Sequence, residues 1–173
     1  MNIVFRLIVT FIVFVIFLRA NTFDRIMITG ELRAYSATIN GCHDAAIPKE
    51  YDMAHGWVVF DETKGLLNFR HSLTQTLLLN TDLSPKANSI FASPVKIIGL
   101  FFIGDDKVPT DGSGNPIYPY DFQENVSYRG STIVVKETLY GPSVLGLIEV
   151  AYKVEGEPVT LKKAVYRYKD KSI

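Results

Sequence analysis

Residues 3–18 read IVFRLIVTFIVFVIFL, an apolar run broken only by Arg6 and Thr10. No proline follows before Pro48, so a single long helix in two parts is predicted from the start of the chain to about residue 46. At about 1.5 Å per residue, residues 3–18 span about 24 Å, against a hydrocarbon core about 30 Å thick. Arg6 and Arg19 can close the gap by extending their head groups to the two interfaces, while Ala20, Thr22 and Phe23 lengthen the buried part. The leading reading is an uncleaved single-span anchor, in which Phe5, Phe11, Phe14 and Phe17 face lipid or neighbouring helices. Two alternatives stay open. One is a cleavable signal peptide with residues 1–6 as its basic region, 7–18 as its apolar region and a cut near Ala20. The other is a buried helix of a water-soluble protein.

The second part of the helix carries a different pattern. Ile28, Leu32, Tyr35, Ile39, Cys42 and Ala46 are spaced 4, 3, 4, 3, 4 and line one face, with Asp24, Glu31, Arg33 and Asn40 elsewhere. That stripe requires a partner, either the chain's own globular part or a helix of another molecule. Gly30 and Gly41 each cost about 1 kcal/mol of helix propensity, and small residues let a neighbouring backbone approach.

Composition limits what remains. The chain has 173 residues, 47% of them hydrophobic, and the part left after the helix suffices for one small domain with its own core. The expected organisation is an anchor or filament-core segment over 1–20, an amphipathic extension over 21–47 and a head over 48–173. Lysine plus arginine number 18, as do aspartate plus glutamate, and this balance gives no electrostatic basis for a nucleic-acid partner. A single cysteine, Cys42, excludes an internal disulfide and multi-cysteine zinc frameworks. Basic residues flanking the apolar run, Arg6 on one side and Arg19, Arg25 and Arg33 on the other, slightly favour a head on the cytoplasmic side.

After Pro48 a short connector is expected, extended over 57–60. Asp61 reads as a helix N-cap, and Leu66, Phe69, Leu73 and Leu77 recur at helical spacing up to Asn80, where NTDLSP makes the turn. Downstream, residues 95–103, 132–140, 144–154 and 159–168 read as strands, the last two joined at Gly156-Glu157-Pro158. Val144, Ile148, Val150, Tyr152 and Val154 fall on one side of their strand, with Glu149 and Lys153 on the other. The fold class is therefore α+β: a long N-terminal helix plus a small head of one helix packed on an antiparallel sheet of about four strands.

Residues 104–120, GDDKVPTDGSGNPIYPY, form a loop whose Asp105, Asp106, Asp111, Tyr118 and Tyr120 make it a candidate binding loop for a carbohydrate or peptide. Between residues 105 and 124 there are five acids and one lysine, whereas 159–173 holds Lys162, Lys163, Arg167, Lys169 and Lys171 against Asp170. Opposed charge of this kind permits head-to-tail association.

Chemistry is harder to find. Cys42, His43, Asp44 and His55 are the only cluster of reactive types, and on a helix Cys42 and His43 point about 100° apart, so they do not form a nucleophile–base pair. Residues 111–115 alternate oxygen side chains as calcium loops do, but Pro116 stands where such a loop needs glycine and Phe122 where it needs glutamate. No phosphate-binding loop, Gly-x-Ser-x-Gly or His-Glu-x-x-His motif is present. No catalytic residue, metal ligand or cofactor is assigned, and enzymatic activity is not expected.

In layout the chain resembles pilin-like proteins, in particular the pseudopilins and minor pilins of tight-adherence (Tad-type) pilus systems. The resemblance rests on the apolar segment running into the amphipathic stretch at 28–46, on the FDETK…F…L…LN helix from Phe60 to Asn80, and on the antiparallel tail. No glycine precedes the apolar run, and no glutamate stands in it at the position type IV pilins use. The resemblance implies a structural subunit held in membrane lipid, associating with itself or with other pilin-like subunits through its N-terminal helix. It also implies a head outside the cell, against the weak charge preference.

Overall fold

The computed structural model describes residues 2–49, 56–154, 156 and 158–169. The predicted connector histidine, His55, and the turn residue Glu157 lie outside that set.

Helix α1 runs unbroken over Asn2–Ala45, about 66 Å at the standard rise. Nothing in those residues breaks it, and it stops where Pro48 approaches: Ala46 N donates to His43 O, Ile47 N to Ala45 O, and Asn68 Nδ2 to Asp44 O, satisfying orphan carbonyls at its end. The chain returns through residues 57–60, where Phe60 bridges Pro48. Helix α2 follows over Glu62–Thr76, with Asp61 at its N-cap accepting from Lys64 N at 3.0 Å. It ends four residues earlier than the spacing suggests. Leu78 and Leu83 adopt left-handed φ in the turn that follows, and Asn80 N donates to Ser84 O.

Among the described residues five strands complete the α+β head: β1 Lys96–Ile103, β2 Tyr120–Tyr128, β3 Ser131–Leu139, β4 Ser143–Ala151 and β5 Val159–Arg167. They form two antiparallel sheets, a three-stranded one in the order β1-β4-β5 and a separate β2-β3 hairpin. The single sheet expected from the alternation is thus divided, and β2 is an additional strand. Its sequence, YDFQENVSY, alternates Tyr120, Phe122, Val126 and Tyr128 but interrupts them with Gln123, Glu124 and Asn125. The hairpin is nonetheless made by the Arg129-Gly130 pair, both at positive φ (51° and 79°), which suits a two-residue turn between twisted strands.

The layers explain β4. Every residue of this strand is buried, because α1 and α2 cover one face of the three-stranded sheet and the β2-β3 hairpin covers the other. Val144, Ile148, Val150 and Tyr152 join Phe69, Leu73 and the small residues of α1 in the first core, as their alternation indicated. Leu145 and Leu147 join Val135 and Leu139 in the second. Glu149, expected on a solvated side, is buried. Lys96 Nζ lies 3.0 Å from one carboxylate oxygen and Arg129 Nε 2.9 Å from the other, so the hairpin tip is pinned to the sheet. The Arg129 hydrogen bond, joined by Lys96 and Tyr128, holds the Glu149 carboxyl down at about 2 despite its burial.

Candidate membrane and assembly surface

Along α1 the side chains divide by position. The N-terminal half is long and apolar enough to cross a membrane, with a mean hydropathy of 2.5, and none of it is buried against the head. Phe5, Phe11, Phe14 and Phe17 stand fully outside the fold, as do the aliphatic residues between them. Arg6 and Thr10 do not interrupt the helix, and Thr10 Oγ1 donates back to Arg6 O at 2.9 Å. Among the described residues this is the only such helix. The molecule is thus a helix of membrane-anchor character carrying a separately folded α+β head.

The C-terminal half does pack on the head, with a face other than the one its large residues mark. Buried there are Ala34, Ala37, Thr38, Cys42 and Ala45, together with Gly30 and Gly41. The approach is close: a Cβ on Gly30 would stand 2.5 Å from Tyr152 Cε1, and one on Gly41 would stand 2.8 Å from Phe69 Cδ2. Aromatic rings from the head therefore sit directly on the helix backbone. Thr38 satisfies its buried hydroxyl on Ala34 O at 2.7 Å.

The Ile28 stripe therefore docks on the chain's own head only at its C-terminal end. Ile28, Leu32 and Tyr35 are 61%, 64% and 52% exposed, Ile39 is half-buried at the margin, and only Cys42 and Ala46 of the stripe are buried. A heptad of large apolar residues marks one face of the helix, but the glycines and alanines at 30, 34, 37, 41 and 45, which carry little apolar bulk, allow the closest contact. The exposed stripe continues from the anchor along the outside of the molecule.

The 104–120 loop is stitched to itself. Asp105 is fully buried; its carboxylate accepts from Val58 N at 2.7 Å and from the Tyr118 hydroxyl at 3.1 Å, which ties the loop to the connector. Burial and then the nearby Asp105 charge push the Tyr118 phenol well above its usual range. Tyr120 begins β2 and packs in the second core. Asp111 accepts from Ser113 N and Asn115 N, the latter bond doing most to hold its carboxyl below the usual range, so its oxygens close a turn. Asp106 is exposed beside Gly104. The five residues thus do not converge on one cavity.

Cys42 is buried against the sheet with Sγ 3.6 Å from Ala164 O, while His43 turns outward, its Nδ1 3.0 Å from Asp44 and its ring edge-on to Tyr166. Among the described residues no cysteine–base pair forms. Among the described residues no group of three histidine, cysteine or acidic side chains is placed to hold a metal ion. No protein-family model, curated protein sequence or solved structure matches this chain.

Proposed function

We propose that this protein is a membrane-anchored, pilin-like structural subunit that assembles through its N-terminal helix and presents the α+β head outside the cell. One observation carries the reading. A single unbroken helix of about 66 Å is more than twice the thickness of a hydrocarbon core, and its large apolar residues lie outside the head from residue 3 to residue 18 and again at Ile28, Leu32 and Tyr35. Lipid shelters the first stretch; the second, beyond the bilayer, is left for sister subunits. The resemblance in layout to tight-adherence pilins supports the same role and is the ground for placing the head outside.

The test is the mature protein's N-terminus and its partitioning in the native cell. An intact anchor that resists alkaline extraction from membranes is the expected result, and removal of residues 2–20 is expected to release a soluble monomeric head. Cleavage near Ala20 with a soluble product overturns the proposal. So does a truncated head that stays firmly oligomeric, because assembly would then not depend on the helix.

A further inference from the structure

The two outer strands of the three-stranded sheet, β1 and β5, each border an apolar groove walled by a helix, and the grooves lie on opposite flanks of the head. On the first flank a groove of about 410 Å³ is lined by Glu62, Thr63, Leu66 and Leu67 of α2 with Leu100 and Phe102 of β1. Leu66 and Leu67 are 42% and 63% exposed there, although Phe69 and Leu73 of the same helix are fully buried. On the second flank a groove of about 300 Å³ is lined by Ile28, Glu31, Leu32 and Tyr35 of α1 with Lys162 of β5. The charges flanking them are opposite. The 105–124 segment, which borders β1 through β2, sends Asp106, Asp111, Asp121 and Glu124 to the surface with Lys107, paired to Glu62, as its sole cation, whereas residues 159–169 carry four cations and no acid: Lys162 pairs with Glu31 of the same groove, Lys163 pairs with Glu137 of β3, and Arg167 and Lys169 complete the basic edge.

We infer that the partner seated on each groove is a second copy of this chain, bound head to tail. The α2/β1 flank of one head docks on the α1/β5 flank of the next, so that Leu66 and Leu67 cover the Leu32 and Tyr35 stripe while the acidic edge faces the basic one. The choice of a second copy rests on the assembly reading above; the pairing of these two unlike flanks goes beyond it. Copies anchored in one membrane share an up direction, and a contact between unlike flanks is compatible with that constraint. Because each copy retains one free flank, the contact propagates until its rotation closes a ring or, combined with an axial rise, generates a filament. An α1 stripe pairing with itself would stop at two copies.

Disulfide trapping of the full-length chain in membranes decides between these. L32C and L67C place thiols on the two flanks at exposed positions, V13C reports association through the anchor alone, and native Cys42 is buried. The expected result is that mixed L32C and L67C chains cross-link in large excess over either alone, and that a chain carrying both gives a ladder beyond the dimer. E124K is expected to lower that yield roughly threefold at low salt, the size of one rim charge pair. Efficient L32C self-cross-linking, or an E124K yield equal to wild type, overturns the head-to-tail pairing. V13C products without L32C–L67C products overturn it while leaving anchor-driven assembly standing; absence of both sets overturns the assembly reading as well.

Discussion

The two halves of α1 belong to one unbroken helix yet satisfy opposite demands. Residues 3–18 are large, apolar and in contact with nothing in the head, while the half that docks does so through Gly30, Ala34, Ala37, Gly41 and Ala45. Side-chain size, more than hydrophobicity, separates them. A helix bathed in lipid gains from bulk on every side, but a helix laid on a sheet gains from letting Tyr152 and Phe69 reach its backbone. Substitutions should therefore have opposite consequences in the two halves.

The largest effect is expected for Phe69→Ala, which empties a fully buried site against Gly41 and Gly146. It should cost the head about 3–5 kcal/mol in urea unfolding of detergent-solubilised chain, with membrane retention unchanged. Phe11→Ala, at an equally large ring in the anchor, should leave head stability untouched. Gly41→Val comes next: overpacking against Phe69 should cost about 1–3 kcal/mol, read as a lowered urea midpoint, whereas a valine for any small residue before Thr22 should cost the head nothing.

Acid should separate the halves a third way. The Glu149 carboxyl is held at about 2 in the folded head, below the ordinary glutamate value, so its stabilisation is complete above that ordinary value. It is lost as pH falls through about 2. Near-UV circular dichroism should show the head loosening there while the helical signal of the anchor persists. Glu149→Gln should cost about 1–2 kcal/mol at neutral pH, moderated because Lys96 and Arg129 are both half exposed, and should flatten this acid dependence. The smallest effect is expected for Leu32→Ala, within about 0.5 kcal/mol in monomeric chain, because that side chain touches solvent; a larger loss would show that the stripe supports its own head after all.

Several elements were legible because their causes are local. The continuity of α1 follows from the lack of a breaker before Pro48, the start of α2 from the Asp61 cap, and the β4-β5 hairpin from alternation around Gly156. β2 was not legible, since Gln123, Glu124 and Asn125 are weak strand formers; the Arg129-Gly130 turn was the available signal. Glu149 looked solvated because no local rule reveals that Arg129, 20 residues away, and Lys96 would meet it. Among the candidate binding residues, Asp105 and Asp111 had the right chemistry but their oxygens are occupied by the loop and the connector.

By itself the sequence determined that an apolar helical stretch runs on into a helix longer than a bilayer is thick and is followed by an α+β head, because hydrophobicity, helix breakers and strand alternation are written residue by residue. Which side of that helix meets the head was decided only by tertiary structure. Two faces of α1 were apolar enough to dock, and the winner was the one whose missing side chains let the rings of Phe69 in α2 and Tyr152 at the end of β4 come closest.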